Sequence, residues 1–282
     1  MANKAVKCDW ASLKEALRTF VSCRTGTQSA SHIKPLHWYV ACRLVIEGGF
    51  RPDDITPRPP LKMKKESGKL ILDYDSASGG EGERTLLGGL KTKAVDVVVT
   101  KEGIGPVLAV SLKGTLNAFR NLTNRMEEAV GDCTNIHLAY PALVYGFLQV
   151  MRATREEKGI PSNDIAISRD GRIVDTIRRY HDVIARLADR KDVRADPTKY
   201  EAIALCLVRA DKRKAGDLLQ GFPERESPLK FEDFFSKLYV QYDQRFVYAA
   251  PALEPITRRL VWDARSPIFD DPRLDYQPRV EQ

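Results

Sequence analysis

Short apolar runs alternating with amphipathic helical stretches predict an α/β fold, a mixed central β-sheet flanked by helices. Three observations carry this expectation. Residues 93–100 (KAVDVVVT) hold Val97, Val98 and Val99 in succession, the pattern of a strand covered on both faces. Residues 107–114 (VLAVSLKG) and 200–208 (YEAIALCLV) have the same character. Between them, in 171–191, Ile173, Ile177, Tyr180, Ile184 and Leu187 recur at steps of four and three, one stripe of a helix.

The remaining elements follow in order. Trp10, Leu13, Ala16, Leu17 and Phe20 predict a helix over about 8–22. A second, over about 32–48, is capped by Ser31 and stopped by Gly48 and Gly49. Four prolines in 51–60 exclude a helix or a central strand there and imply a wrapping loop. A strand is expected at about 69–74 (KLILDY), then a turn-rich tip, SASGGEGE. The strands at 93–100 and 107–114 are joined by a short loop with Gly103, Gly105 and Pro106. A polar segment and helix run to about 133, followed by a strand at 142–153 and a helix at 231–246. The reading is one domain over 1–282, with an N-terminal helical elaboration (about 1–60) and a Pro-punctuated C-terminal arm (about 250–282) suited to wrapping or dimer contacts.

Composition narrows the function classes. The chain has 282 residues, 45 Lys+Arg against 38 Asp+Glu, and a net charge of +7, an excess compatible with nucleic acid. No apolar run is long enough to span a bilayer, and Met1-Ala2-Asn3-Lys4 does not open a signal peptide; a cytoplasmic protein is expected. The five cysteines form no CxxC pair and read as reduced, packed thiols. The four histidines, with His32 and His37 on different helix faces, argue against a histidine metal site.

The chemistry concentrates in 94–128. Asp96 lies on one strand; Ser111 and Lys113 end the next, two residues apart and therefore on the same face. A lysine ending a buried strand beside an acidic one must meet water, or a metal and a phosphate.

This pattern resembles the PD-(D/E)xK nuclease superfamily, in which an aspartate on one strand and an acid-x-lysine on the following strand hold magnesium and position a water. Val95 stands where that family has proline, and Ser111 where it has the second acid. One branch of restriction endonucleases has serine there, its glutamate having moved to the following helix, and reads roughly S-x-K-x-T-[LI]-R-S-D-R-x4-R-x-E. Ser111, Lys113, Thr115, Leu116, Arg120, Arg125 and Glu127 fall in that register, over about 35 residues. The resemblance implies a restriction-endonuclease-like fold and a Mg²⁺-dependent DNA endonuclease. Its metal ligands would be Asp96 and Glu127, with Lys113 acting on the attacking water. Ser111 would hydrogen-bond a metal-bound water or leave room for Glu127. For Glu127 to return, the chain must leave the strand through about 114–120 before the helix begins.

Glu47, at the end of the second helix, is a further metal-ligand candidate, since a carboxylate is unfavourable at a helix C-terminus without a reason. Glu81 and Glu83 could also reach the site, though their glycine-rich setting reads as a loop tip. Asn117, Arg120, Asn121, Asn124 and Arg125 would face double-stranded DNA, as base readers or phosphate contacts. The first three residues of R-S-D-R are replaced by Asn117, Ala118 and Phe119, so that branch's target sequence does not carry over. A type II restriction enzyme acting as a homodimer is the leading expectation. An effector or repair nuclease, or an inactive DNA-binding protein on the same fold, stands beside it.

Overall fold

The structure is a computed structural model that describes residues 8–23, 30–80 and 82–281. It is an α/β fold whose centre is a five-stranded mixed sheet. The strands are β1 (Ile55–Thr56), β6 (Val97–Lys101), β7 (Gly105–Thr115), β8 (Val144–Arg152) and β9 (Ala202–Val208), adjacent in that order. β1 and β7 run antiparallel to β6, whereas β8 and β9 extend the sheet in parallel from β7. Parallel β8 and β9 are buried almost throughout, which is why their sequences are continuously apolar.

Helices cover both faces. On one side lie α1 (Leu13–Ser22), α2 (Lys34–Ile46) and α5 (Phe231–Tyr242), packed on Val97, Val99, Leu108, Val110 and Leu112. On the other lie α3 (Leu122–Ala139) and α4 (Asp175–Ala185), packed on Val98, Ala109, Phe147 and Leu205. The period of two along β7 therefore turns Leu108, Val110 and Leu112 to the first face and Ala109, Ser111 and Lys113 to the second. α1 begins at a capping box, Ser12 with Glu15. α2 begins after Ile33 rather than at Ser31, with Pro35 in its first turn, and Ala30–His32 forms a separate short helical turn. α5 lies so close to β8 that a Cβ on Gly146 would stand 2.8 Å from Phe234.

Two hairpins add strands to the expected elements, the strand expected at 69–74 being one arm of the first. β2 (Leu61–Glu66) pairs with β3 (Lys69–Tyr74), and β4 (Arg84–Leu87) with β5 (Thr92–Val95). The expected strand at 93–100 thus divides at Asp96: its first half joins a hairpin and its second joins the central sheet. The C-terminal segment packs onto its own chain. Trp262 is buried and its Nε1 donates to Val45 O (2.9 Å), Arg279 N donates to Ile46 O (2.9 Å), and Asp263 N donates to Leu70 O (2.7 Å).

Candidate active site

The break between β5 and β6 builds the site. Where β6 departs from the line of β5, the amide of Leu112 on β7 donates to the Asp96 side chain instead, reaching Oδ2 at 2.7 Å. Ser111 Oγ donates to the same oxygen at 3.2 Å. Oδ2 is thereby fixed, while Oδ1 lies 3.7 Å from His37 Nε2, beyond hydrogen-bond length. His37 comes from the first turn of α2 and is almost fully buried, and its Nε2 has no hydrogen-bond partner. Glu83, just before β4, brings a carboxylate over the same point: donor atoms of His37, Glu83 and Asp96 lie within 4.8 Å of one another.

The electrostatics agree with this crowding. Burial raises the Glu83 pKa above the usual carboxylate value, and the negative charge of Asp96 raises it further. Burial lowers the His37 pKa; Asp96 opposes this, while Lys113 and Lys34 add to it. His37 is therefore held neutral, the form in which an imidazole nitrogen offers a lone pair.

A second row of charges lies beside the first. Lys113 Nζ is 3.4 Å from Glu128 Oε1 on α3. Glu128 also accepts from Arg125 (2.6 Å) and lies 4.0 Å from Lys93, which in turn pairs with Asp132. Burial opposes ionisation of Glu128, but Lys113 and Arg125, with Lys93, outweigh it and hold its carboxyl below the usual range. The chain leaves β7 at Thr115, turns at Ala118, which is left-handed (φ 56°), passes through a short 3-10 turn at Phe119–Asn121 and enters α3 at Leu122. This is the departure before the helix that a helix-borne carboxylate demands. The turn is held by Asp164, which accepts from Ala118 N at 2.7 Å.

The structure thus brings together Asp96, Ser111 and Lys113 and corrects two further expectations. Glu127 is exposed, and its neighbour Glu128 is the residue that meets Lys113. Adjacent helix positions differ by about 100°, so the 3-10 turn's effect on the phase of α3 decides which of the two faces the sheet. Glu47 is not grouped with Asp96. Arg43, one turn earlier, holds it through Nε (2.6 Å) and a second nitrogen (3.0 Å), and Tyr239 donates to it at 3.1 Å. Arg43 itself lies over Phe235, 4.1 Å from the ring centroid. That pairing is what holds a carboxylate at a helix C-terminus, about 15 Å along α2 from His37. Glu81 lies outside the described residues.

Ser111 acts on Asp96 directly, a role distinct from either sequence expectation. Asn117, Arg120, Asn121, Asn124 and Arg125 are all exposed and form the outer rim of the passage from β7 into α3, around buried Phe119 and Leu122. Gln149, fully buried on β8 in register with Lys113, donates to Thr115 Oγ1 (3.1 Å) and accepts from Tyr180 (3.3 Å), bracing the end of β7. His37 and Gln149 carry no motif in the sequence; the one hint for His37 is its place on a largely apolar helix.

The donor set fits a divalent cation: two carboxylates supply hard oxygen ligands, and a buried imidazole nitrogen in their midst lacks any other partner. None of the described helices is long and apolar enough to cross a membrane. No protein-family model and no curated protein matches the chain.

Proposed function

We propose that this protein is a divalent-cation-dependent endonuclease that hydrolyses DNA phosphodiester bonds, in the manner of a type II restriction enzyme acting as a homodimer on double-stranded DNA. The observation that carries the reading is the junction of β5, β6 and β7. It fixes one oxygen of Asp96, leaves the other facing Glu83 and His37, and places Lys113 on the adjoining strand. The resemblance to restriction endonucleases implies Mg²⁺ as the ion.

A cation bound there supplies Lewis-acid activation of water and neutralises charge on the phosphoryl oxygens. Asp96 and Glu83 would hold the cation, and Leu112 N with Ser111 Oγ keeps Asp96 from rotating away. Lys113 orients the attacking water and offsets the charge that develops on the phosphoryl group. The water oxygen gives up a proton to solvent and forms the new bond to phosphorus, the bond to the leaving oxygen breaks, and that oxygen takes up a proton. Glu128 holds the Lys113 ammonium at 3.4 Å and so sets its direction. Arg120 and Asn124 on the rim contact DNA phosphates or base edges.

The test is incubation of purified protein with plasmid and phage DNA, in Mg²⁺ or EDTA, beside Asp96→Ala and Lys113→Ala. Discrete fragments that need the cation and vanish in both variants are expected. Cleavage that persists in both variants would overturn the assignment.

A further inference from the structure

We propose that His37 is itself a ligand of the cation at this site, and that its imidazole gives the site a preference for Mn²⁺ over Mg²⁺. The inference rests on the cleft of the proposed nuclease being a metal site and names the ion class that the site selects.

Three observations support it. First, His37 is 4% exposed, and its Nε2 makes no hydrogen bond. A buried polar atom left without a partner costs roughly 1–3 kcal/mol, and the neighbours of His37 on α2, Leu36, Tyr39 and Val40, are buried apolar or aromatic side chains. Second, the orphaned atom is aimed at chemistry. It stands 3.7 Å from Asp96 Oδ1, the oxygen that neither Ser111 nor Leu112 engages. Third, the three donors come from separate parts of the fold: α2, the segment before β4, and the β5–β6 junction. They nevertheless lie within 4.8 Å of one another. Ligands on opposite sides of one small cation are roughly 4.2 Å apart, so a shift of well under about 1 Å closes this set around a single ion.

The donor types decide the ion. Mg²⁺ takes oxygen ligands and keeps most of its water, and gains little from a nitrogen donor. First-row transition ions accept imidazole together with carboxylate. Mn²⁺ tolerates the same carboxylates and octahedral waters as Mg²⁺ while accepting the nitrogen. A site of two carboxylates and one neutral imidazole therefore discriminates between them, which a site of carboxylates alone does far less.

The experiment measures the metal apart from cleavage. Mn²⁺ is titrated into the full chain, free ion is followed by electron paramagnetic resonance, and Mg²⁺ is added in competition. One Mn²⁺ bound at least tenfold more tightly than Mg²⁺ is expected. His37→Ala should lose at least tenfold in Mn²⁺ affinity and change less than twofold for Mg²⁺, while Glu83→Gln, at an exposed position, weakens both. Spin-echo modulation of the bound Mn²⁺ in the unaltered protein should show a directly coupled ¹⁴N nucleus. That readout does not depend on the folding of any variant. Absence of the nitrogen coupling, equal affinity for the two ions, or failure to bind Mn²⁺ overturns the proposal. Mg²⁺-supported DNA cleavage by the unaltered protein, together with a bound Mn²⁺ that shows no nitrogen coupling, would leave the nuclease reading standing without His37 as a ligand. A tightly bound, nitrogen-coupled Mn²⁺ without any DNA cleavage would do the reverse.

Discussion

The two oxygens of Asp96 have different duties, and the difference comes from one backbone amide. Leu112 N and Ser111 Oγ converge on Oδ2, leaving Oδ1 to the cleft. Lys113 is treated in a similar way: its ammonium is free to move on a long side chain, and Glu128 gives it a direction. Glu128→Gln keeps the shape but removes the charge that holds Lys113, so kcat on a fixed plasmid substrate should fall about tenfold, the size of a charge-assisted hydrogen bond. Glu127→Gln, at an exposed position, should leave kcat within about twofold; the opposite ranking would restore Glu127 to the site. At this scale the sequence was informative where strand periodicity governs. Ser111 and Lys113 follow from a period of two along β7, whereas Asp96 is marked by the nuclease-like pattern around it. Glu128 was not legible, because the phase of α3 depends on the left-handed Ala118 and the 3-10 turn after it. His37 was not legible either, because nothing local marks a helix that will cross a distant strand break.

Among the elements, the passage from β7 to α3 controls where the rim residues stand. Ala118 adopts a left-handed conformation that costs a residue with a Cβ about 1 kcal/mol or more. Ala118→Gly should relieve it and stabilise the protein by roughly 0.5–1 kcal/mol, measured by urea unfolding. At the N-terminal ends of β8 and β9 lies a different, wholly buried network. Glu201 accepts from Tyr145 N (2.7 Å) and pairs with Arg190 (2.8 Å) and Arg245 (2.7 Å), with His137 at 3.5 Å. Burial opposes its ionisation, but His137 and Arg245, with the Tyr145 amide, outweigh it and hold its carboxyl below the usual value of 4.5. The folded state therefore binds the proton less readily than the unfolded chain. This stabilisation is complete above about pH 4.5 and is lost as pH falls through the lower folded value. Glu201→Gln should cost about 3–5 kcal/mol at pH 7, and the gap to the unaltered protein should narrow in denaturant titrations at pH 3.5.

The same scale shows why some elements could not be read. β2 reads LKMKKE and β4 reads RTLL, both largely exposed; β2 alternates only over Leu61–Lys64 before its charged end, and β4 does not alternate at all. They are strands because a partner pairs with them. The buried strands β6, β7, β8 and β9 and the amphipathic α4 were legible because burial dictates their composition, although the predicted α4 overran the observed helix at both ends.

For the whole molecule, the C-terminal segment is a clamp. Trp262 fills a site beneath α2, and Tyr276 meets Tyr39 of that helix edge to face, with ring centroids 5.6 Å apart. Trp262→Ala should destabilise the protein by about 3–5 kcal/mol, seen as a lower midpoint in thermal or urea unfolding, and a change under about 1 kcal/mol would show the clamp to be superficial. The prolines at 251, 255, 267, 272 and 278 announce an irregular segment. Its docking surface could not be read, because it is assembled from α2 and β3, far away in sequence.

That clamp also orders events in time. Chain synthesis delivers β7, with its serine and lysine, long before residue 262 exists, yet α2 receives its final fastening only when Trp262 and Arg279 reach the carbonyls of Val45 and Ile46. Contacts between such distant parts of a chain form late. The helix that carries His37 is thus among the last pieces to be secured.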